Sequence, residues 1–348
     1  MPLAKGTTVV TGANGGLGSP IARQLSSLPR YAGYHNVYAV RDATSAAALR
    51  ESTSSSENTT HASEVISLDL TNLDSVRRVA ESINSRVANG DIPPIQALVL
   101  NAGFQDFGKQ VWTPDGFDVT FSANYLGHWL LTLLLLKSMN KECGRIVVIG
   151  SQAHDPRDKR NDRTGAFATE RDKTLVHDKE SFEAIARGTW SSAKQDPSWR
   201  SGFRRYGASK LFLVMMIHEL QRRMDHDPVL SRVCVLGVDP GTMSTGLQRR
   251  AAWFVRVVLL QIVYPIIAFL FSSDIVKSTH KAASQVLAAA FDAGPPVGEF
   301  PKAGYFSDGK PCETSEESRD LHTRNLVGEG SVEYAHLQPG ETILKDWQ

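Results

Sequence analysis

Short runs of apolar and β-branched residues alternate with longer amphipathic stretches along the first two-thirds of the chain. Six runs read as strands: "GTTVVTG" from Gly6, "HNVYAVRD" from His35, "HASEVISLDL" from His61, "IQALVLNAG" from Ile95, "GRIVVIGS" from Gly144 and "SRVCVLGVDPG" from Ser231. Between them, "LGSPIARQLSSL", "TNLDSVRRVAESINSRV", "DGFDVTFSANYLGHWLLTLLLLKSM" and "YGASKLFLVMMIHELQRRM" carry helical periodicity. Near-continuous apolar strands separated by helices predict an α/β fold, a doubly wound parallel sheet covered on both faces. The Ser/Thr-rich "ESTSSSENTTHAS" reads as a polar surface loop, and no internal repeat is present.

Two regions break the rhythm. Residues 152–203 are highly charged and weakly periodic, which predicts an inserted loop. Residues 251–271, "AAWFVRVVLLQIVYPIIAFLF", form the most apolar stretch. From Val257 to Phe271 a helix would reach roughly 22 Å, short of a ~30 Å hydrocarbon core. Arg256, Gln261 and Pro265 also count against a span. The stretch, with its flanks over 245–276, is expected to be a substrate-covering flap, with a peripheral membrane contact as the alternative. The tail, 311–348, is acidic at first and predicts one helix in "SEESRDLHTRNLVGEG". It is expected to pack on the core or to meet a partner subunit in a homodimer. No catalytic residue is expected there.

Composition narrows the classes. The chain has 348 residues, and its net charge of +1 gives no basic excess for gripping phosphate backbones, so nucleic acid is not an expected partner. Cys143, Cys234 and Cys312 are odd in number and in no metal-ligand spacing, so they read as reduced thiols and no metal site is expected. "MPLAKGTTVV" carries no apolar segment of signal-peptide type, and the expected location is the cytoplasm.

The candidate chemistry lies at strand ends. "TGANGGLG", 11–18, follows the first strand and opens the first helix. Gly12, Gly16 and Gly18 permit a tight turn and a close backbone approach to a pyrophosphate, whose charge a helix N-terminus stabilises. Asn14 and Leu17 belong to the same loop. The position between strand and helix points to dinucleotide binding. The second strand ends in Arg41-Asp42. A carboxylate there would hold the ribose hydroxyls of NAD, and an arginine would meet the 2′-phosphate of NADP; charge complementarity favours Arg41 and NADP. Asp69 and Leu70 end the third strand, Asn101, Ala102 and Gly103 the fourth, Ser151 the fifth, and Pro240, Gly241 and Thr242 follow the sixth. Ligands of a doubly wound sheet lie off these carboxyl ends.

Asn124 lies inside a helix, where asparagine is disfavoured; among apolar neighbours it is expected to be buried, holding a water or a backbone carbonyl. The Ser151 hydroxyl would bond a substrate carbonyl or cap the following turn. Tyr206 and Lys210 stand four apart, on one face of a helix. A phenol titrates near ~10, and a neighbouring ammonium would favour the phenolate.

The ordered set of T-G-x-x-x-G-x-G, N-A-G, Asn124, Ser151, Y-x-x-x-K and P-G resembles the short-chain dehydrogenase/reductase family. "TPDGFDVTFSANYLGHWLLTLLL", "RIVVIGSQAH" and "AGYFSDGK" are similar to its retinol dehydrogenase and protochlorophyllide reductase-like branch. The similarity runs from about residue 5 to 310. It implies a Rossmann-type catalytic domain over 1–310 that binds NADPH, with 311–348 as an extension. It implies that Tyr206 is the proton donor to a carbonyl oxygen and that Lys210 lowers its pKa and holds the nicotinamide ribose. Ser151 would orient the carbonyl, and Asn124 would position a water linking Lys210 to solvent. Gly12, Gly16 and Gly18 would take the pyrophosphate, Asp69-Leu70 the adenine, and Pro240 to Thr242 the carboxamide, with Asn101 to Gly103 lining the cleft.

One departure stands out. In the family the serine precedes the tyrosine by about a dozen residues, and here the two stand 55 positions apart. The added segment is expected to be either a solvated surface loop or a lid in which Phe167, Phe182 or Trp190 covers the substrate. The implied activity is NADPH-dependent reduction of a ketone or aldehyde in a lipophilic small molecule of specialised metabolism, or the reverse oxidation. The alternatives are double-bond reduction at the same site and a non-catalytic NADP-binding scaffold.

Overall fold

A computed structural model describes residues 4–54, 62–241 and 279–347. The apolar stretch 251–271 and Thr242 lie outside the described residues. The strands and helices, in chain order, are β1 (Gly6–Thr11), α1 (Gly18–Ser27), β2 (Tyr34–Val40), α2 (Ala47–Ser54), β3 (Ala62–Ser67), α3 (Leu73–Ala88), β4 (Ile95–Leu100), α4 (Val119–Phe121), α5 (Gly127–Leu135), β5 (Arg145–Ile149), α6 (Lys179–Ala186), α7 (Trp199–His226), β6 (Cys234–Asp239), α8 (Thr279–Phe291), β7 (Tyr305–Ser307), β8 (Lys310–Pro311), α9 (Glu316–Arg319) and α10 (Leu321–Tyr334).

The sheet runs β3-β2-β1-β4-β5-β6-β7-β8, parallel except for the β7–β8 hairpin at its edge. All six predicted strands are present, and β7 and β8 are additions to the prediction. Alternation along each strand feeds two apolar layers. Val9, Ile146 and Val148 pack with α3, α5 and α7 on one face. Val10, Val147 and Ile149 pack with α1, α2 and α8 on the other.

The order of strands places the β1 and β4 ends side by side, which opens a crevice at their carboxyl edge. Two local features shape it. A π-turn over Ser122–Leu126 joins α4 to α5, where the Gly127 N–H reaches back five residues to the Ser122 carbonyl. Helix α7 starts seven residues before Tyr206 because Ser198 caps it, accepting from the Arg200 N–H. Tyr206 therefore sits well inside a helix, not at its frayed first turn.

The inserted segment is not a solvated loop. It contains three short 3₁₀ turns and α6, which opens with a capping box between Asp178 and Ser181. Leu175, Val176, Phe182 and Ile185 bury their side chains in the main core. The tail joins the same core: Trp347 stacks on Trp129 with ring centroids 4.9 Å apart, and Tyr334 stacks on Phe182 at 5.4 Å.

Candidate active site

A cleft of about 540 Å³ lies along the carboxyl ends of β1 to β6. It is lined by Gly12, Asn14, Gly16, Leu17, Arg41, Asp69, Leu70, Asn101, Ala102, Gly103, Ser151, Tyr206, Lys210, Pro240 and Gly241. Among the described residues, two predicted site residues do not line it. Gly18 packs beneath the loop, where a side chain would collide with the Gly12 carbonyl. Asn124 is fully buried behind the cleft wall.

At one end, Gly12 adopts a left-handed φ of 65°, and a Cβ there would come within 2.8 Å of the Ala102 backbone. The Asn101 side chain bridges the strands, donating to the Thr11 carbonyl at 2.8 Å and the Gly12 carbonyl at 3.2 Å. The loop 14–17 leads into the N-terminus of α1, so the cleft floor presents backbone to an anion. Arg41 lines the rim, whereas the Asp42 carboxylate is turned into its own loop, accepting from the Thr44 N–H at 2.9 Å and the Thr44 hydroxyl at 2.6 Å. These bonds hold its carboxyl below the usual carboxylate range. The ambiguity of the Arg41-Asp42 pair is thus resolved locally: the arginine faces the cleft and the aspartate caps a turn. The glycine cradle and this rim arginine fit a phosphorylated dinucleotide.

At the other end, Lys210 donates to the Ile149 carbonyl at 2.7 Å, and its Nζ lies 5.6 Å from the centre of the Tyr206 ring. Burial pulls the lysine down to about 8, against an opposing effect of Asp239. Tyr206 moves the other way from the expectation. Burial pushes its phenol up to about 12; the hydrogen bond with Ser151 opposes this and Asp239 adds to it. The ammonium lies over the ring, and burial is the largest effect on the phenol.

Ser151 takes the second of its alternatives: its hydroxyl caps the turn at Gln152–His154, accepting from the Ala153 N–H at 3.2 Å, at the cleft end that Tyr206 also lines. Asn124 holds a backbone carbonyl, as one alternative predicts: its amide donates to Phe104 O at 3.0 Å and to Ser209 Oγ at 3.0 Å, while its Oδ1 accepts from the Phe104 N–H. It ties the loop after β4 to helix α7.

Several neighbours were missed from the sequence. His128 is fully buried between the Asn124 carbonyl at 3.0 Å and the Thr11 hydroxyl at 2.9 Å, and burial lowers it to about 4. Four residues past Asn124 on one helix, it had the spacing but no chemical context. Asp239 ends β6 at the cleft and pairs at 3.2 Å with Arg160 of the insertion. Phe203 lines the cleft one helical turn before Tyr206, their rings 6.3 Å apart. The proposed covering residues lie elsewhere: Phe182 is in the core, and Phe167 packs behind Phe203 at 5.8 Å. Neither these nor Trp190 lines the cleft.

A glycine-cradled crevice joined to a Ser-Tyr-Lys cluster defines a dinucleotide-dependent oxidoreductase. The family model for short chain dehydrogenase matches residues 6–160. The "Short-chain dehydrogenase iccH" of Talaromyces variabilis is 39% identical over 99% of both chains. A protochlorophyllide reductase of Daucus carota is 29% identical over 70% of this chain and 57% of its own length. The chain therefore belongs to the short-chain dehydrogenase/reductase family. The solved angucycline C-6 ketoreductase LanV, crystallised with NADP, shares the fold at a TM-score of 0.57, with 21% identity over 88% of this chain and 96% of that one.

Among the described residues, the helical run Val119–Ser138 is long and apolar enough to cross a membrane, but it is 94% buried in the protein core.

Proposed function

We propose that this enzyme reduces a ketone or aldehyde of a lipophilic small molecule with NADPH. The observation that carries the reading is the convergence of Ser151, Tyr206 and Lys210 at one end of the cleft whose other end is the glycine loop. A proton donor for reduction must hold its proton at neutral pH, and burial raises the Tyr206 phenol. NADPH, when bound, supplies the hydride to the carbonyl carbon. The Ser151 hydroxyl orients the carbonyl oxygen, and the Tyr206 hydroxyl gives that oxygen its proton. Solvent then restores the proton to Tyr206, while Lys210, fixed to β5, supplies positive charge beside the phenolate.

NADP is the cofactor favoured by Arg41 on the rim and Asp42 turned away from it. Phe203 and Phe104, both in the cleft lining, support an apolar substrate. The relative from Talaromyces variabilis is named a short-chain dehydrogenase, which supports redox chemistry at this site.

The test is a fluorescence titration with NADPH and with NADH, followed by product analysis with lipophilic ketones and enones. NADPH-selective binding and an alcohol product support the proposal. A saturated ketone from an enone moves the reaction to double-bond reduction, and binding without turnover of any carbonyl moves it to a scaffold role.

A further inference from the structure

We infer that strand β7 and the C-terminal extension set the position of Ser151, through Tyr305 and His154 as positioning residues. The inference rests on the proposal that Ser151 orients the substrate carbonyl.

The backbone of Ser151 is held on both sides. Its N–H donates to the Tyr305 hydroxyl at 3.1 Å, and its carbonyl accepts from His154 Nδ1 at 2.7 Å. The far nitrogen of the same imidazole, Nε2, accepts the Ser315 N–H at 3.2 Å. A backbone N–H can only donate, so Nε2 carries no proton and Nδ1 does. Burial favours this neutral ring by lowering the His154 pKa. The two side chains pack against each other, ring centroids 5.3 Å apart.

The central strands are shaped for this contact. Tyr305 lies against Gly150 and Gly237, and a Cβ at either position would overlap its ring or hydroxyl. "AGYFSDGK" thus acquires a physical role: it brings a hydroxyl to the amide of the candidate catalytic serine.

The tail is anchored where it touches His154. The Glu317 carboxylate accepts from the Leu175 and Val176 N–H groups at 2.8 Å each, and His218 Nε2 lies 2.8 Å from the Thr314 hydroxyl. Residues 314–317 are therefore wedged between the insertion, α7 and the turn after β5. This region lies past the family match at 6–160, yet it reaches the site through one imidazole.

The test uses the full chain and two readouts. Hydrogen exchange over peptides covering 150–155 should accelerate in Tyr305→Phe, His154→Leu and Ser315→Pro, and stay at the wild-type rate in Ser315→Ala, which keeps the N–H. With NADPH and 9,10-phenanthrenequinone as the probe, Tyr305→Phe and His154→Leu should lose about tenfold or more in kcat with little change in NADPH affinity, since small misplacements of a reacting group are costly. His154→Asn, whose amide can replace the Nδ1 donor, should recover most of that loss. Unchanged exchange in Ser315→Pro, or wild-type kcat in Tyr305→Phe and His154→Leu while Ser151→Ala is inactive, overturns the inference. Should Ser151→Ala itself keep wild-type turnover, the proposed role of Ser151 fails, and the exchange data alone decide whether the clamp exists.

Discussion

Lys210 is bonded to Ile149 and not to Tyr206: the ammonium donates to the strand carbonyl at 2.7 Å. The four-residue spacing brings lysine and tyrosine together on α7, but β5 fixes the direction in which the lysine points. The consequence is a lysine that titrates near neutrality beside a tyrosine that does not.

This sets the pH dependence expected of the proposed reduction. The reactive form needs Tyr206 protonated, which holds below about 12, and Lys210 charged, which holds below about 8. Activity is therefore present at lower pH and lost as pH rises through the lysine value. A profile of kcat/KM for the free enzyme should show its alkaline limb near 8. A limb confined to pH 10 or above would remove Lys210 from the titrating role.

Tyr206→Phe should lower kcat by about 10²-fold or more, because positioned proton transfer contributes that order. The ring and its contact with Phe203 remain, so NADPH affinity should hold. Stopped-flow reduction together with a binding titration checks both halves. Wild-type turnover in this variant would exclude the tyrosine as donor.

Arg41→Ala should weaken NADPH binding by about 10- to 100-fold and leave NADH binding nearly unchanged, as expected for a charge-assisted contact to a phosphate. Fluorescence titration with the two cofactors measures the difference. An equal loss for both would place the arginine's role elsewhere.

Arg205, next to the candidate donor, is buried with Asp106 and Asp118, whose Oδ2 lies 3.3 Å from the Arg205 Nε. It ties the loop after β4 to α7. Arg205→Met should cost about 3–5 kcal/mol, since two carboxylates are left without their buried cation. Urea unfolding followed by circular dichroism should show a lowered midpoint at unchanged slope. A loss under 1 kcal/mol would mean that the loop relaxes and lets water reach the acids.

The chain pattern alone determined the sheet, its first six strands and the residues at their ends, because a largely buried parallel sheet writes itself as apolar runs with glycine and polar punctuation. It also determined the pairing of Tyr206 with Lys210, a matter of helical spacing. A helix in the tail and its packing on the core were expected, but the contacts of the insertion and tail were not legible in this way. Their apolar residues, such as Phe182 and Trp347, are spaced irregularly among charges, and their partners lie far along the chain. Only the tertiary structure decided that Asp42 turns into its own loop while Arg41 lines the rim, that Asn124 bonds the backbone of Phe104, and that Tyr206 is raised. The first is the geometry of one exposed turn, and the other two depend on burial and on contacts between separate segments; local periodicity records neither.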